Sequence, residues 1–123
     1  DAWNDMRRSI AAIYNKLLNE KHIVLPYVDA NVEHVYHLYV IRTKNRDKLR
    51  EILSTCGIAT GIHYPIPIHL QQAYGSLGYK NGDFPIAEQI ASEIISLPMY
   101  PELSQEEIKY ISEQINKYGE IYD

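Results

Sequence analysis

The chain has 123 residues and a mass of 14.3 kDa, which fits a single domain with one hydrophobic core. Hydrophobic residues make up 46% of the sequence and charged residues 23%, a balance that is typical of globular proteins and argues against disorder. A net charge of −4 without a basic stripe excludes tight binding to the phosphate backbone of nucleic acid, and the apolar runs are too short to cross a membrane.

The single cysteine and the first residue bear on the origin of the chain. Cys56 has no second cysteine with which to form an internal disulfide, which predicts a reducing, cytoplasmic location. The chain begins at Asp1, without an initiator methionine or a signal peptide, and its first residues already follow a helical pattern. We therefore expect it to be a piece of a longer polypeptide.

The first half of the chain predicts a helix, a strand and a second helix. Apolar residues at spacings of three and four indicate the first helix: Trp3, Met6, Ile10, Ile13 and Leu17. Residues 35–41 are rich in β-branched and aromatic side chains and predict a buried strand. Asn45 is placed to cap the next helix, and Gly57 is placed to end it. The inner face of that helix is expected to hold Leu49, Ile52, Leu53 and Cys56.

The region after Gly57 predicts extended structure over residues 58–64 and a short helix over residues 69–74. Between them, Pro65 and Pro67 predict a stiff turn. Asp83 is placed to cap a helix that enters through Pro85. The inner face of this helix is expected to carry Ile86, Ile90, Ala91 and Ile94.

The end of the chain predicts a short extended segment and a last helix. Residues 96–99 form the segment, and Ser104 and Glu107 have the spacing of a capping box. The last helix is expected to end at Gly119 and to bury Ile108, Ile111, Ile115 and Tyr118. Together these elements predict a mixed α/β (α+β-like) domain, with a sheet of about three strands and helices packed on it.

The densest group of polar side chains lies between residues 63 and 69. His63, Tyr64 and His69 are held on a stretch that Pro65 and Pro67 make stiff. Such a loop suits residues that must meet a ligand at a set geometry. The alternative is that His63 and Tyr64 are hydrogen-bonded structural residues, and the spacing alone does not decide between the two.

Other patterns give no catalytic or metal site. His34 and His37 are three apart, so on a regular strand they would point to opposite faces and could not bind one metal ion. Cys56 lies on an apolar helix face and is expected to be a core residue. Eleven tyrosines stand against one phenylalanine, which is either compositional bias or the sign of an interface between domains or subunits.

Several motifs in fixed order resemble one family of enzymes. They are His37-x-Tyr39, Arg42, residues 57–60 (GIAT), 63–69 (HYPIPIH), 84–88 (FPIAE) and 96–103 (SLPMYPEL). Arg7-Arg8 and Tyr14-x-x-Leu17 in the first helix also match. The chain is similar, over nearly its whole length, to the C-terminal small domain of the DegT/DnrJ/StrS-type sugar aminotransferases, which are pyridoxal-phosphate enzymes of fold type I.

This resemblance implies that residues 1–123 are the small domain of a longer, dimeric, cytoplasmic enzyme. Such enzymes transfer an amino group, usually from glutamate, to a nucleotide-linked keto-sugar in routes that include polysaccharide biosynthesis. The family's Schiff-base lysine lies in the large domain, shortly before a glycine-rich stretch that this sequence lacks. The resemblance therefore implies that this chain has no catalytic or covalent cofactor residue, no metal site and no activity alone. His63, Tyr64 and His69 are its candidate substrate-binding residues.

Two other functions remain open at this point. A related enzyme, in which another residue replaces the lysine, dehydrates a keto-deoxysugar, and its small domain would look the same. A noncatalytic ligand-binding or interaction module could also have kept this fold. The residues that precede Asp1 in the longer protein would distinguish the three.

Overall fold

The computed structural model describes residues 1–119, which form four α-helices, two 3-10 helices and a small sheet. In chain order the elements are α1 (Ala2–Leu17), β1 (Tyr39–Arg42), α2 (Arg46–Thr55), two 3-10 helices (Ile68–Leu70 and Gln72–Leu77), α3 (Pro85–Glu93), β2 (Ile94–Leu97) and α4 (Gln105–Gly119). The predicted mixed α/β class is confirmed. None of the described helices is long and apolar enough to span a bilayer.

The sheet is smaller than the three strands that the sequence predicts. β1 and β2 pair antiparallel with Tyr39 opposite Leu97, and one isolated bridge lies on each side of this pair. Val24 bridges to Arg42 of β1, and Gly61 bridges to Ser96 of β2. Neither outer segment extends beyond its single bridge. Pro26 lies two residues after Val24, and a proline has no N–H to donate to a ladder.

Both strands are also displaced from their predicted bounds. The strand predicted over residues 35–41 begins only at Tyr39, because its partner β2 is four residues long. Before it, Tyr36 has a φ of 48°, which is incompatible with an extended strand, and Arg7 of α1 donates to the carbonyl of Val35. The segment predicted over residues 96–99 is β2, and it starts two residues earlier, directly after α3.

The core lies between the sheet and the helices. α1 and α2 both pack against α4, and the fully buried side chains include Tyr14, Tyr39, Ile41, Leu53, Ile95, Ile108 and Ile115. Asn116 of α4 joins the end of α1 by donating to the carbonyl of Leu17 at 2.8 Å. The predicted apolar faces of α2 and α4 are confirmed, with Cys56 and Tyr118 only partly buried against the core.

Two helix boundaries form as the sequence predicts. Gly57 has a φ of 75°, its N–H donates to Ser54, and the N–H of Ile58 donates to Leu53, which together make a Schellman motif at the end of α2. At the start of α4, Ser104 and Glu107 exchange the two hydrogen bonds of a capping box, at 3.2 and 2.8 Å.

Two details of the predicted helices are wrong. Phe84, and not Asp83, occupies the N-cap position of α3, because the carboxylate of Asp83 accepts the N–H of Lys80 instead. Ile86 is 73% exposed, since it lies on the outer side of α3 while Ala91 and Ile94 are buried. The first helix forms as predicted, and only part of its apolar stripe faces the core, with Ile10 buried and Trp3 and Met6 exposed.

The hydroxyl of Ser112 has no hydrogen-bond partner among residues 1–119, although the residue is only 1% exposed. A buried polar group without a partner carries its full desolvation cost. We expect Ser112→Ala to raise the stability of the fold by about 1 kcal/mol, because it removes that cost and alanine also favours the helix. Thermal unfolding measures this. The exposed helical Ser54→Ala is the control for helix propensity alone, and a loss of stability in Ser112→Ala would contradict the prediction.

Candidate functional site

The stiff loop predicted over residues 63–69 leaves the sheet at β2. Gly61 donates its N–H to the carbonyl of Ser96 at 3.1 Å and accepts the N–H of Ser96 at 2.8 Å. Ser96 is the third residue of β2 and is buried. Since Gly61 is only two residues before His63, the start of the loop is tied to the centre of the fold while its tip lies on the surface.

His63 is anchored at one side of its ring and open at the other. Its Nδ1 lies 2.9 Å from the Oγ of Ser96, and the residue as a whole is exposed. The Nε2 atom has no hydrogen-bond partner within the described part of the chain. The imidazole therefore has a fixed position and one ring nitrogen available to a ligand.

Tyr64 stands next to His63, and its side chain is free to meet a ligand. The two rings lie edge to face with centroids 5.6 Å apart, and the peptide bond between the residues is cis. Tyr64 is 71% exposed. It lies at the border of an apolar groove of about 670 Å³ whose lining includes Ile66, Ile68, Tyr74, Leu77, Phe84 and Ile94. Two hydrogen-bonding side chains beside an apolar groove suit a ligand with polar and apolar parts.

His69 is placed differently from the other two candidates. Its side chain is 8% exposed, and its Nε2 lies 2.9 Å from Oε1 of Glu88 in α3. The ring packs on Phe84 with centroids 4.7 Å apart. The structure therefore brings His63 and Tyr64 together at the surface, whereas His69 ties the end of the loop to α3.

Glu88 is a residue of this region that the sequence analysis did not single out. Its carboxylate accepts the N–H of Gly82 at 2.9 Å as well as His69, and the N–H of Phe84 at 3.3 Å. Partial burial by itself raises the pKa of Glu88, but the N–H of Gly82, the His69 ring and the N–H of Phe84 hold this pKa below its ordinary value. The signal in the sequence is the glutamate at the end of residues 84–88 (FPIAE).

We expect Glu88→Gln to lower the melting temperature by a few degrees at neutral pH. A carboxyl with a lowered pKa stabilises the fold above its ordinary pKa, and that stability is lost as the pH falls through the lowered value. The difference in melting temperature between Glu88→Gln and the unchanged protein should therefore become smaller towards acid pH. Melting curves across pH test this, with the exposed Glu102→Gln as control. A difference that is the same at every pH would contradict the assignment.

The described residues hold no cluster of candidate metal ligands, and the lysines of the chain lie at its surface. Among residues 1–119, no group of three or more His, Cys, Asp or Glu side chains is arranged to hold a metal ion. All seven lysines of the chain are exposed: Lys16, Lys21, Lys44, Lys48, Lys80, Lys109 and Lys117. A lysine that reacts with a carbonyl cofactor needs a desolvated site or a neighbouring cation to lower its pKa. Since all seven are exposed, none of them lies in a desolvated site of the described residues.

The chain matches known proteins along nearly its full length. Residues 1–116 match the model of the DegT/DnrJ/EryC1/StrS aminotransferase family. The chain is 45% identical over 121 residues to a "Pleiotropic regulatory protein" of Geobacillus stearothermophilus, which covers 96% of this chain and 32% of that protein. It is 44% identical over 119 residues to the dTDP-3-amino-3,6-dideoxy-alpha-D-galactopyranose transaminase of Aneurinibacillus thermoaerophilus, with coverage of 97% and 32%.

A solved structure is similar over the same extent. DesV of Streptomyces venezuelae, crystallised in complex with a ketimine intermediate, superposes with a TM-score of 0.95 at 35% identity. The match covers 100% of this chain and 33% of DesV. The chain thus spans about a third of the length of the curated relatives it matches, at 32% for each of the two described above.

Proposed function

The chain belongs to the DegT/DnrJ/EryC1/StrS aminotransferase family, and from this premise we propose that it is the C-terminal small domain of a longer, pyridoxal-phosphate-dependent sugar aminotransferase. The complete enzyme would transfer an amino group to a nucleotide-linked keto-sugar. The cofactor supplies the electron sink for that transfer. This chain would form one wall of the substrate site.

The observation that supports this role is the exposed pair His63 and Tyr64 on an anchored loop. Their backbone is fixed to β2 through Gly61, so their side chains can meet a ligand without a large loss of conformational entropy. Both can hydrogen-bond the hydroxyl, carbonyl or phosphate oxygens of a nucleotide-linked sugar. His69, engaged with Glu88, is assigned to holding the loop against α3 and is the weakest candidate for direct substrate contact.

The remaining features of the proposal follow from the family. We propose that the complete enzyme is a homodimer, takes its amino group from glutamate and acts in the cytoplasm, in a route such as polysaccharide biosynthesis. The lone Cys56 fits a reducing compartment. The apolar surface around the groove and the exposed Trp3 and Met6 fit a domain that has further protein packed against it.

The 123-residue chain is expected not to form a covalent bond with pyridoxal phosphate at a specific lysine, because all its lysines are exposed. The measurement is borohydride reduction of the chain mixed with the cofactor, followed by peptide mass spectrometry. The complete protein is the control and should be labelled at a lysine outside these residues. Stoichiometric labelling of one of the seven lysines would show that this chain carries the cofactor site.

The proposed activity is tested by assaying the complete protein, loaded with pyridoxal phosphate, on a panel of nucleotide-linked keto-sugars with glutamate as donor. We expect an amino-sugar nucleotide and 2-oxoglutarate in equal amounts. A deoxygenated keto-sugar, formed together with 2-oxoglutarate and free ammonium and without an amino-sugar, would instead identify the related dehydratase, because glutamate would supply the two electrons that the deoxygenation needs. Neither product from any sugar would contradict both enzymatic functions.

A regulatory, noncatalytic role is the second candidate, because a relative with 45% identity is named a pleiotropic regulatory protein. The assay above separates the two functions. A protein that binds nucleotide sugars with the same preference as an aminotransferase, but yields no amino-sugar product, would support the second candidate.

A further inference from the structure

We propose that Ser96 and Gly61 are positioning residues that hold the imidazole of His63 in the tautomer with its proton on Nε2, so that His63 donates a hydrogen bond to an oxygen of the substrate. The inference rests on the proposed function, in which His63 contacts the substrate. It adds the direction of that hydrogen bond and the two residues that set it.

Ser96 is held rigidly in the strand beneath His63. It is 4% exposed, and both of its backbone groups that face Gly61 are hydrogen-bonded, at 2.8 and 3.1 Å. Its Oγ is therefore fixed at 2.9 Å from Nδ1 of His63. The hydroxyl proton can rotate to suit its partner.

The burial of the Ser96 hydroxyl decides which atom donates. Within residues 1–119, Nδ1 of His63 is the only hydrogen-bond partner of Oγ. If Nδ1 carried the proton, the hydroxyl would accept it and its own hydrogen would lack an acceptor in a buried place, which is costly. If the hydroxyl donates to Nδ1, both groups are satisfied. The neutral ring then carries its proton on Nε2.

Gly61 provides the space in which the ring lies. A Cβ atom at this position would be 2.6 Å from Cε1 of His63 and 3.3 Å from Nδ1, so the imidazole rests directly against the glycine backbone. Gly61 does not have a positive φ. What the position requires is therefore the absence of a side chain, and an alanine would push the ring away without straining its own backbone.

The outward Nε2–H defines the chemistry of the group that His63 can meet. It donates to a carbonyl, hydroxyl or phosphate oxygen. In this tautomer Nε2 presents a donor to the substrate, which is the role of a binding residue.

The kinetic test uses the complete enzyme and compares kcat/KM for Ser96→Ala, Gly61→Ala and His63→Ala, singly and combined. We expect Ser96→Ala and Gly61→Ala each to lower kcat/KM by about three- to tenfold, mainly through KM. When His63 is already alanine, neither substitution should lower kcat/KM by more than a further twofold, because both act through the His63 ring. Ser96→Thr, which keeps the hydroxyl, should retain activity. The matched controls are the exposed Ser92→Ala and Gly75→Ala, which should stay within twofold.

The second test reads the tautomer directly and does not depend on activity. Long-range proton–nitrogen correlation spectra of the complete protein, labelled with ¹⁵N-histidine, report which ring nitrogen of His63 is protonated, with His63→Ala giving the assignment. We expect a protonated Nε2 and an unprotonated, hydrogen-bonded Nδ1, and loss of that Nδ1 signature in Gly61→Ala. A proton on Nδ1, or fully additive losses in the combined variants, would overturn the inference. If His63→Ala itself keeps kcat/KM within twofold, the substrate contact of the proposed function is refuted, whichever tautomer is found.

Discussion

Replacing His63 by alanine in the complete enzyme is expected to lower kcat/KM by about threefold to a hundredfold while the melting temperature changes little. Tyr64→Phe should have an effect in the same direction. A hydrogen bond is worth about 0.5–1.5 kcal/mol to a neutral partner and roughly 1.5–3 kcal/mol to a charged one, which sets this range. The stability should hold because both residues are exposed, with Tyr64 at 71%.

The control for Tyr64→Phe is Tyr110→Phe. This variant removes a hydroxyl that donates to the carbonyl of Cys56, away from the loop. Its kcat/KM should be unchanged. The cofactor absorbance of all variants should also stay intact, because the proposed function places the cofactor on the rest of the enzyme. If His63→Ala and Tyr64→Phe lose stability but keep kcat/KM within twofold, the loop is scaffold and does not contact the substrate.

Replacing Tyr39 by alanine is expected to lower the free energy of unfolding by about 3–5 kcal/mol, the usual cost of removing a fully buried aromatic ring. Tyr39 is 0% exposed, its ring stacks on Tyr14 at 4.8 Å, and its hydroxyl donates to Asn15 of α1 at 2.6 Å. It therefore joins the sheet to the first helix. Burial raises the pKa of Tyr39, as it does that of Tyr14, so both phenols stay neutral.

A second variant of Tyr39 separates the contribution of the ring from that of the hydroxyl, and a variant of an exposed tyrosine is the control. Tyr39→Phe should cost only about 0.5–1.5 kcal/mol, since it keeps the ring and removes one hydrogen bond. Tyr27→Ala, at a residue that is 86% exposed, should change stability by less than about 0.5 kcal/mol. Urea unfolding gives all three values. If Tyr39→Ala lowers the free energy of unfolding by less than Tyr39→Phe does, the ring of Tyr39 is not a central part of the core.

The helices could be predicted from the sequence because their signals are local. Three such signals are present in the structure: the apolar stripe that includes Ile10, the glycine of the Schellman motif at Gly57, and the capping box at Ser104. Each depends only on residues within one or two helical turns. The strands could not be bounded in the same way. Tyr39 begins β1 because Leu97 ends β2, and that pairing joins residues far apart in the sequence.

The candidate site could also be predicted only in part from the sequence. The composition of the loop pointed to His63 and Tyr64, but it did not reveal that Ser96, 33 residues later, holds the ring of His63. The same limit hid the role of His69, whose partner Glu88 lies 19 residues further along the chain. Sequence spacing can identify side chains that are able to bind a ligand, whereas their partners decide which of them remain available.

A crystal structure of the complete protein with its nucleotide-linked sugar bound tests the central claim most directly. The expected result is a ligand oxygen within about 2.7–3.2 Å of Nε2 of His63, with Nδ1 still on Ser96 and the cofactor held by residues outside this chain. A bound sugar that leaves His63 and Tyr64 facing solvent, beyond hydrogen-bond distance of every ligand atom, would contradict the assignment of this loop to the substrate site.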